Sequence, residues 1–544
     1  MNQNSLKNIF EFAAYLTILA IGIFLQSKIL VTGDITWLMR IGEKFLQGGH
    51  YYTDFFEVNP PMCIYIYLIP VLLSKQFHLI FPTTVLIFTF IIAIISWCFS
   101  YNLLKKILIN SQPFYRINLA IALAFLYFIF PSNAFGQREY LFAVLMMPYL
   151  LIAVLRAKQQ TNNQWLTITA GLFAGIGFCL KPFFLMTWLF IELYLFIKST
   201  RLLSWLRCEN VAIIVVLLCY AVSIPILTPE YLTKIVPITN IFYYINYQIP
   251  LTLLLLQPIV GFSVILFVTH YFLRKKIQQM DLLNILLLAT FGGLLTYLAQ
   301  FTLWFYHMLP AAMFSILLGV GLASEYWQRE KNLFATSLIA LAILLLMATN
   351  IYMYKINFKQ TREFLTDPVF NLSKKQSGKF IFIFTDDLAA NYPFLDYTRT
   401  SSPSRFPSLW LMRAADKLIA LKKDPNTLQT AQAAKQFVIE ATTDDLIKNP
   451  PFYIFIQKNN AYYSVFHKNW ISYDLVLTQQ QQSISFFKQF LKDAKFQQFW
   501  QNYRYMGVTE NFYIYCRHCE EAADRRGNPS FTVSWIATSL RSSQ

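Results

Sequence analysis

Long apolar runs recur along this chain from Ile9 to Tyr354 and then stop. Each has roughly 15 to 24 residues, close to the length of about 20 that a helix needs to cross a bilayer core. Because that core offers no hydrogen-bond partners to an open backbone, apolar segments that enter it fold as helices. The chain is 56% hydrophobic and only 13% charged, against about 25% charged residues in soluble domains. These features predict a mainly α, polytopic bundle of transmembrane helices.

The apolar runs indicate about eleven spans. They lie near residues 10–31, 82–104, 117–131, 139–155, 166–180, 183–197, 210–228, 251–273, 282–303, 311–327 and 333–354. A further run, 62–73, is short and contains Pro70, which is typical of a re-entrant or interfacial segment. The N-terminal segment lacks the basic start and cleavage site of a signal peptide, so we expect the first span to remain as an anchor.

The segment 166–197 is apolar except at Lys181, which Pro182 follows. As a single helix it would be about 48 Å long, well beyond a hydrocarbon core of about 30 Å. We therefore expect a turn at Lys181–Pro182.

The basic residues between the spans indicate the orientation of the chain. If 62–73 does not cross the membrane, all five of the most basic loops lie on one side, which the positive-inside rule identifies as the cytoplasm. Their cations are Lys105, Lys106, Arg116, Arg156, Lys158, Lys198, Arg201, Arg207, Arg274, Lys275, Lys276, Arg329 and Lys331. The same rule accounts for the net charge of +17 without a nucleic-acid partner. The N-terminus is predicted to be cytoplasmic and the C-terminal region external.

Five polar segments then fall on the external side. They are residues 32–61, 132–139, 181–182, 229–250 and 304–310. Because external turns of one bundle lie close together, their charged residues are candidates for one shared cleft. These residues are Asp34, Asp54, Glu57, Arg138, Glu139, Lys181 and His307.

Most of these candidates also have an ordinary structural explanation. Asp34 is the expected N-cap of an amphipathic helix of about 13 residues, which carries apolar residues from Ile35 to Leu46 on one side and ends at Gly48–Gly49. Such a helix is too short to span and is expected in the membrane interface. Arg138 and Lys181 are also long side chains of the kind that reach from apolar surroundings to water. Asp54 and Glu57 have an ordinary explanation as solvated loop charges, and His307 has one as an interfacial histidine.

Several of these segments resemble a known pattern. Asp34, the amphipathic helix ending in Gly-Gly and the stretch YTDFFEVNPPM resemble the first external loop of GT-C superfamily glycosyltransferases, nearest to the protein O-mannosyltransferase and aminoarabinose transferase group. The stretches FGQREYLF (135–142), GLFAGIGFCLKPFFL (171–185) and WFYHMLP (304–310) resemble bacterial members. Two features depart from the family pattern: Ile35 stands where a second acid is frequent, and Asn59 stands where some members have Lys.

The resemblance implies transfer of a sugar from a polyprenyl-phosphate carrier to an acceptor hydroxyl on a lipid, glycan or protein. It implies Asp34 as the general base, with Arg138 and Lys181 binding the carrier phosphate. The residues implied in substrate binding are Asp54, Glu57, Gln137, Glu139, Tyr306 and His307. The resemblance implies no definite cofactor. It is compatible with a divalent metal, but Ile35 stands in place of the second acid, which makes a metal-binding acidic pair doubtful. The expected location is the bacterial inner membrane, with the site on the periplasmic side.

Two other functions remain open from the sequence. A transporter or flippase for a lipid-linked substrate would carry charged residues at mid-membrane and internal repeats, and the chain shows no clear repeat. A non-catalytic envelope assembly subunit would keep the fold without the chemistry.

Three regions are predicted along the chain: a transmembrane domain (1–355), an external α/β domain (356–515) and a disordered tail (516–544). In the second region, 378–387 and 451–459 read as strands, and 408–422 and 483–500 as helices. The tail resembles the translated product of a dispersed bacterial repeat. The CxxC spacing of Cys516 and Cys519, with His518 between them, is therefore not taken as a metal site.

Overall fold

The computed structural model describes residues 3–160, 163–199, 205–330, 333–421, 424–458 and 482–517. The chain separates into two compact units, Met1–Glu363 and Phe364–Gln544. This boundary lies eight residues beyond the predicted one.

The first unit is helical throughout. Its α-helices are α1 (Gln3–Ser27), α2 (Gly33–Leu46), α3 (Met62–Tyr65), α4 (Leu68–Phe77), α5 (Phe81–Ile107), α6 (Pro113–Phe128), α7 (Arg138–Ala157), α8 (Gln164–Cys179), α9 (Leu185–Ser199), α10 (Cys208–Leu227), α11 (Val236–Tyr247), α12 (Leu251–Leu255), α13 (Pro258–Leu273), α14 (Met280–Ala299), α15 (Leu309–Glu330) and α16 (Leu333–Thr366). Short 3₁₀ turns occur at Ser132–Ala134, Pro182–Phe184, Arg274–Lys276 and Phe305–Met308, and a π-helical turn at Tyr231–Ile235.

The predicted helix bundle is confirmed, since every one of the eleven predicted apolar runs coincides with helix. Among the described residues, six helical segments are long and apolar enough to cross a membrane: Phe81–Ile107, Arg138–Ala157, Pro182–Ser199, Cys208–Leu227, Met280–Ala299 and Phe305–Trp327. Four shorter apolar segments are Glu11–Ser27, Met62–Phe77, Pro113–Phe128 and Gln164–Cys179. The run at 62–73 forms two short helices, α3 and α4, and the chain turns at Lys181 as expected.

Helix α7 is the centre of the bundle. All of its residues except Arg156 are buried, and it packs against α5, α8, α14 and α15. With 20 residues it is about 30 Å long. Because α7 runs the length of the bundle, Arg138 and Glu139 at its start lie at the opposite end of the bundle from Arg156 in its last turn.

Two glycines let α8 approach α10 closely. A Cβ at Gly171 would lie 2.3 Å from the carbonyl oxygen of Glu209, and one at Gly175 would lie 2.9 Å from the Cβ of Val216. Glycines four residues apart on one face are the usual means by which apolar helices pack backbone to backbone.

The C-terminal end of α7 holds a network of ion pairs. Arg156 donates from Nε and Nη2 to the Glu209 carboxylate, each at 2.9 Å. Arg207 donates to Glu209 at 3.0 Å and to Glu192 at 2.5 Å. This network joins α7, α9 and α10 at one end of the bundle.

Further loops meet at the same end. The Lys158 ammonium donates to the Ile107 carbonyl at 3.1 Å and to the Gln279 amide oxygen at 2.5 Å. Gln279 in turn donates to Ser111 at 2.8 Å and, from its backbone, to Glu325 at 2.7 Å. Thus the segments near 107–111, 156–158, 207–209 and 279 lie together, as the charge pattern predicts.

The second unit is built on a four-stranded sheet. Its strands are β1 (Ile381–Phe384), β2 (Tyr453–Gln457), β3 (Tyr503–Val508) and β4 (Phe512–Arg517), in the order β1-β2-β4-β3. β1 and β2 are parallel, whereas β4 is antiparallel to both β2 and β3. The helices are α17 (Pro368–Lys374), α18 (Leu388–Asn391), α19 (Phe394–Thr398), α20 (Trp410–Ala420), α21 (Pro425–Lys448), α22 (Gln482–Phe490) and α23 (Ala494–Trp500).

The predicted strands contain β1 and β2, and the predicted helix at 408–422 contains α20. The helical pattern at 483–500 forms two helices, because the chain turns between Phe490 and Asp493, which caps α23. Helix α21 and the β3–β4 hairpin were not predicted. Cys516 and Arg517, the first two residues of the predicted tail, belong to β4. His518, Cys519 and the rest of that tail lie outside the described residues.

Candidate functional site

The start of α7 is held in place by the loop before it. Gly136 has a φ of +88°, a conformation that glycine adopts without strain, and its carbonyl accepts a 2.6 Å hydrogen bond from the Tyr67 hydroxyl. A Cβ at Gly136 would lie 3.0 Å from the Thr89 hydroxyl. The residues at 137–139 consequently enter the bundle end in a fixed orientation.

Arg138 is buried beside Asp34. Its guanidinium Nη2 lies 3.9 Å from the Asp34 Oδ2, and the arginine side chain is 3% exposed. The guanidinium carbon lies 5.8 Å from the centre of the Tyr306 ring. Within the described part of the chain, Arg138 Nε and Nη1 have no hydrogen-bond partner, so the described residues satisfy this buried cation only in part.

Asp34 is more open than the neighbouring carboxylate of Glu139: its side chain is 29% exposed, whereas that of Glu139 is fully buried. The predicted N-cap assignment is wrong: Thr32 is the N-cap of α2, and Asp34 lies in the first helical turn. There the positive end of the helix dipole favours a negative charge. The Gln137 amide donates to Thr32 Oγ1 at 2.7 Å and approaches Asp34 Oδ2 at 3.4 Å.

Lys181 is fully occupied by its neighbours. Its ammonium pairs with the Glu139 carboxylate, donates to the Gln300 amide oxygen at 2.7 Å and lies 3.1 Å from His307 Nε2. His307 Nδ1 is 2.6 Å from the Thr302 hydroxyl. Burial lowers the pKa of Lys181, and the charge of Glu139 opposes that shift. Lys181 and Glu139 thus form a compensated buried pair.

Three consecutive residues at this site carry buried polar atoms that lack partners. These atoms are Gln137 Oε1, Arg138 Nε and Nη1, and Glu139 Oε2. More than nine in ten buried polar groups in proteins are hydrogen-bonded, so such a concentration calls for an explanation. A polar ligand that accepts from Arg138 would provide one.

Aromatic residues from two segments line the same region. Trp304 and Tyr306 are stacked with ring centres 6.4 Å apart, and Tyr247 lies 5.9 Å from Trp304. Tyr243, 5.0 Å from Tyr247, is close enough to feel the charges of Asp34 and Arg138. Of these aromatic residues, only Tyr306 was predicted.

Glu57 is buried in the same bundle end but is bound on both oxygens. Oε2 accepts from the Trp37 indole at 2.6 Å, and Oε1 accepts from the Asn59 amide N–H at 2.6 Å. Burial raises the pKa of Glu57. Its bonds hold the loop against α2, and its contact with substrate stays a prediction.

Asp54 is exposed and closes its own turn. Its Oδ2 accepts from the His50 backbone N–H at 2.9 Å and from the Thr53 hydroxyl at 3.1 Å. These contacts give Asp54 a structural role in the loop.

The structure therefore brings together Asp34, Gln137, Arg138, Glu139, Lys181, Tyr306 and His307. Five further residues of this region were not predicted as site residues: Gln300, Thr302, Tyr243, Tyr247 and Trp304. Gln300 has a sequence signal, since it is a strongly polar residue near the end of the apolar run 282–303. Among the described residues, no three His, Cys, Asp or Glu side chains are grouped so that they could hold a metal ion.

No known protein family and no curated protein matches this chain in sequence. Solved structures similar to it include ArnT from Cupriavidus metallidurans bound to undecaprenyl phosphate, with 10% identity over 96% of this chain and 99% of that one and a TM-score of 0.49. An oligosaccharyltransferase from Archaeoglobus fulgidus, tethered to an acceptor peptide, has 11% identity over 83% of this chain and 70% of that one, with a TM-score of 0.42. Because both TM-scores are below 0.5, the function proposed next rests on the residues of this chain.

Proposed function

We propose that this protein is a membrane glycosyltransferase that moves a sugar from a polyprenyl-phosphate carrier to an acceptor hydroxyl. One observation carries the proposal: a partly open carboxylate, Asp34, lies beside a buried and incompletely bonded guanidinium, Arg138, at one end of an apolar helix bundle. A polyprenyl tail would be accommodated by the bilayer, which leaves the phosphate and sugar at the bundle end.

Asp34 is the proposed general base. As the acceptor hydroxyl attacks the anomeric carbon, its proton passes to the Asp34 carboxylate, and the bond between that carbon and the phosphate oxygen breaks. The leaving group is a phosphate, so it requires positive charge rather than a proton donor.

Arg138 is the proposed direct ligand of the carrier phosphate. Its Nε and Nη1 have no partner among the residues that the structure describes, and guanidinium binds phosphate through paired hydrogen bonds. Lys181 has three partners for its ammonium group, including Glu139. We assign Lys181 a supporting role, in which its positive charge stabilises the phosphate without a hydrogen bond to it. A bound phosphate that displaced one of these partners would be bound by Lys181 directly.

The remaining residues are assigned to positioning and to substrate contact. His307 and Gln300 hold Lys181, and Glu139 balances its charge. Tyr306, stacked on Trp304, would pack against an apolar face of the sugar. Asp54 and Glu57 stay predicted substrate contacts, and their hydrogen bonds also shape the loop.

The orientation is part of the proposal. The basic residues Arg156, Lys158 and Arg207 lie at the other end of α7, and the positive-inside rule assigns that end to the cytoplasm. Asp34 and Arg138 would then face the external side, which is the periplasm if the protein lies in a bacterial inner membrane.

The test is sugar transfer in reconstituted vesicles, with polyprenyl-phosphate sugars labelled in the sugar as donors. We expect label to leave the carrier and enter an acceptor, and Asp34→Asn to lower kcat about 10²- to 10⁴-fold. Glu43→Gln is the matched control, because Glu43 is a carboxylate of the same helix that pairs with Arg40. Net movement of label across the vesicle membrane without transfer would instead identify a transporter.

A further inference from the structure

The starts of α2 and α7 are joined side chain to side chain. The Gln137 amide donates to Thr32 Oγ1 at 2.7 Å, although the two residues lie 105 positions apart in the chain. Thr32 is the N-cap of α2, and Gln137 is the N-cap of α7. The Thr32–Gln137 hydrogen bond therefore links the residue before one helix directly to the residue before the other.

Both ends of this bond lie next to the proposed reacting groups. Asp34 is the second residue of α2, and Arg138 is the first residue of α7. The distance of 3.9 Å between Asp34 Oδ2 and Arg138 Nη2 thus depends on how the two helix starts are held against each other. Because Thr32 precedes Asp34 by two residues and Gln137 precedes Arg138 by one, the bond between them leaves that distance little freedom.

The Thr32 hydroxyl serves this contact and not the start of its own helix. An N-cap threonine commonly accepts a hydrogen bond from a backbone N–H in the first turn. In the described part of the chain, the Thr32 side chain makes no such capping bond, and its Oγ1 accepts from Gln137. Loss of the hydroxyl would consequently remove the link to α7 without removing a side-chain cap from α2.

Gln137 also approaches the carboxylate of Asp34. Its Nε2 lies 3.4 Å from Asp34 Oδ2, and an ionised carboxylate can only accept a hydrogen bond. The Gln137 side chain is buried, whereas that of Asp34 is partly exposed. Arg138 approaches the same oxygen, Oδ2. Since both contacts are on Oδ2, the oxygen left to receive a proton is Oδ1.

We propose that Thr32 and Gln137 are positioning residues for the base. Gln137, held by Thr32, orients the Asp34 carboxylate with Oδ2 toward Arg138 and Oδ1 toward the acceptor hydroxyl. This role rests on the proposed transfer reaction, and it requires no contact of Thr32 with the sugar, the acceptor or the phosphate. A displacement of about 1 Å in a reacting group can cost about 10²-fold in rate, so the bond should contribute measurably to kcat.

The experiment is steady-state sugar transfer by the full chain in vesicles, with labelled polyprenyl-phosphate sugar as donor. Thr32→Val removes the acceptor oxygen and keeps the shape of the side chain. It should lower kcat about 10- to 100-fold and leave the KM for the donor within about twofold, because Arg138 is unchanged. Thr32→Ser keeps the hydroxyl and should restore most of kcat. Thr36→Val is the matched control, because Thr36 is a buried threonine of the same helix whose hydroxyl donates to the Gly33 carbonyl.

A second background separates positioning from a general structural effect. If Thr32 acts through Asp34, Thr32→Val should lower the residual transfer of Asp34→Asn no further. A general loss of structure would lower transfer equally in both backgrounds. Thermal unfolding of Thr32→Val, Gln137→Met and the double variant tests the bond without catalysis, and their effects should not add.

The outcomes distinguish this role from the transfer reaction itself. If the parent transfers sugar, an unchanged kcat in Thr32→Val would overturn the positioning role alone. Equal losses in the parent and in Asp34→Asn, or additive losses of stability in Thr32→Val and Gln137→Met, would do the same. A parent that transfers no sugar from any polyprenyl-phosphate donor would overturn the proposed function, and the positioning role with it.

Discussion

Arg138 lies 3.9 Å from Asp34 and yet keeps two guanidinium nitrogens, Nε and Nη1, without a hydrogen-bond partner. A buried arginine that is only partly paired is costly unless something else binds it. In the proposed reaction that partner is the carrier phosphate, bound next to the carboxylate that takes the proton.

The first prediction concerns Arg138. Arg138→Lys keeps the charge but loses the planar pair of donors, so affinity for undecaprenyl phosphate should fall about 10- to 100-fold. Direct binding in detergent measures this. Arg40→Lys is the matched control, because Arg40 lies on the same helix as Asp34 but pairs with Glu43 and lies over the Phe81 ring. Equal losses in both variants would contradict the assignment.

The second prediction concerns the Glu139–Lys181 pair. Glu139→Gln should destabilise the protein by about 3 kcal/mol, because it leaves a buried ammonium without its counter-charge. Lys181→Met combined with Glu139→Gln should recover part of that loss, since the buried charge is then gone. Thermal unfolding of the two single variants, Glu139→Gln and Lys181→Met, and of the double variant measures the coupling. Strictly additive losses would show that the two side chains act independently.

The third prediction is a pH dependence at Glu57. Burial raises its pKa in the folded protein, so between the ordinary glutamate pKa and that raised value the folded state binds more protons than the unfolded state. Stability from this residue therefore falls as the pH rises through that window. Unfolding free energies measured from pH 4 to 8 should show a shallower slope in Glu57→Gln than in the parent. An unchanged slope in Glu57→Gln would show that Glu57 is not the source of this pH dependence.

The fourth prediction concerns the contact of α8 with α10. Gly171→Ala should destabilise the bundle, because its Cβ would lie 2.3 Å from the Glu209 carbonyl oxygen, a backbone atom that cannot move aside alone. Gly261→Ala in α13 is the control, since nothing lies within 4 Å of the added carbon. There a gain of about 0.5 to 1 kcal/mol in helix stability is expected. If Gly171→Ala left the stability of the bundle unchanged, the two helices would have to separate easily.

The positions of the helices were largely predictable, whereas the roles of individual acids were not. The apolar runs mark helices because burial in a bilayer leaves the backbone no other way to form its hydrogen bonds. Glu57 and Asp54 lie in the same predicted external segment as Asp34, and nothing in that segment shows how their surroundings differ. The difference arises because Glu57 receives donors from Trp37 and Asn59, while Asp54 folds back on His50.

The sequence by itself determined the helical bundle, the turn at Lys181 and the separation of basic loops from the loops that carry Asp34 and Arg138. These follow from local properties, namely apolar length and the distribution of charge. Only the tertiary structure decided that Lys181 is neutralised by Glu139 while Arg138 retains unpaired donors, and that Gln300 and Trp304 belong to the same region. Such pairings join residues that lie 42 to 119 positions apart, and they depend on how α7, α14 and the loops pack, which no local pattern contains.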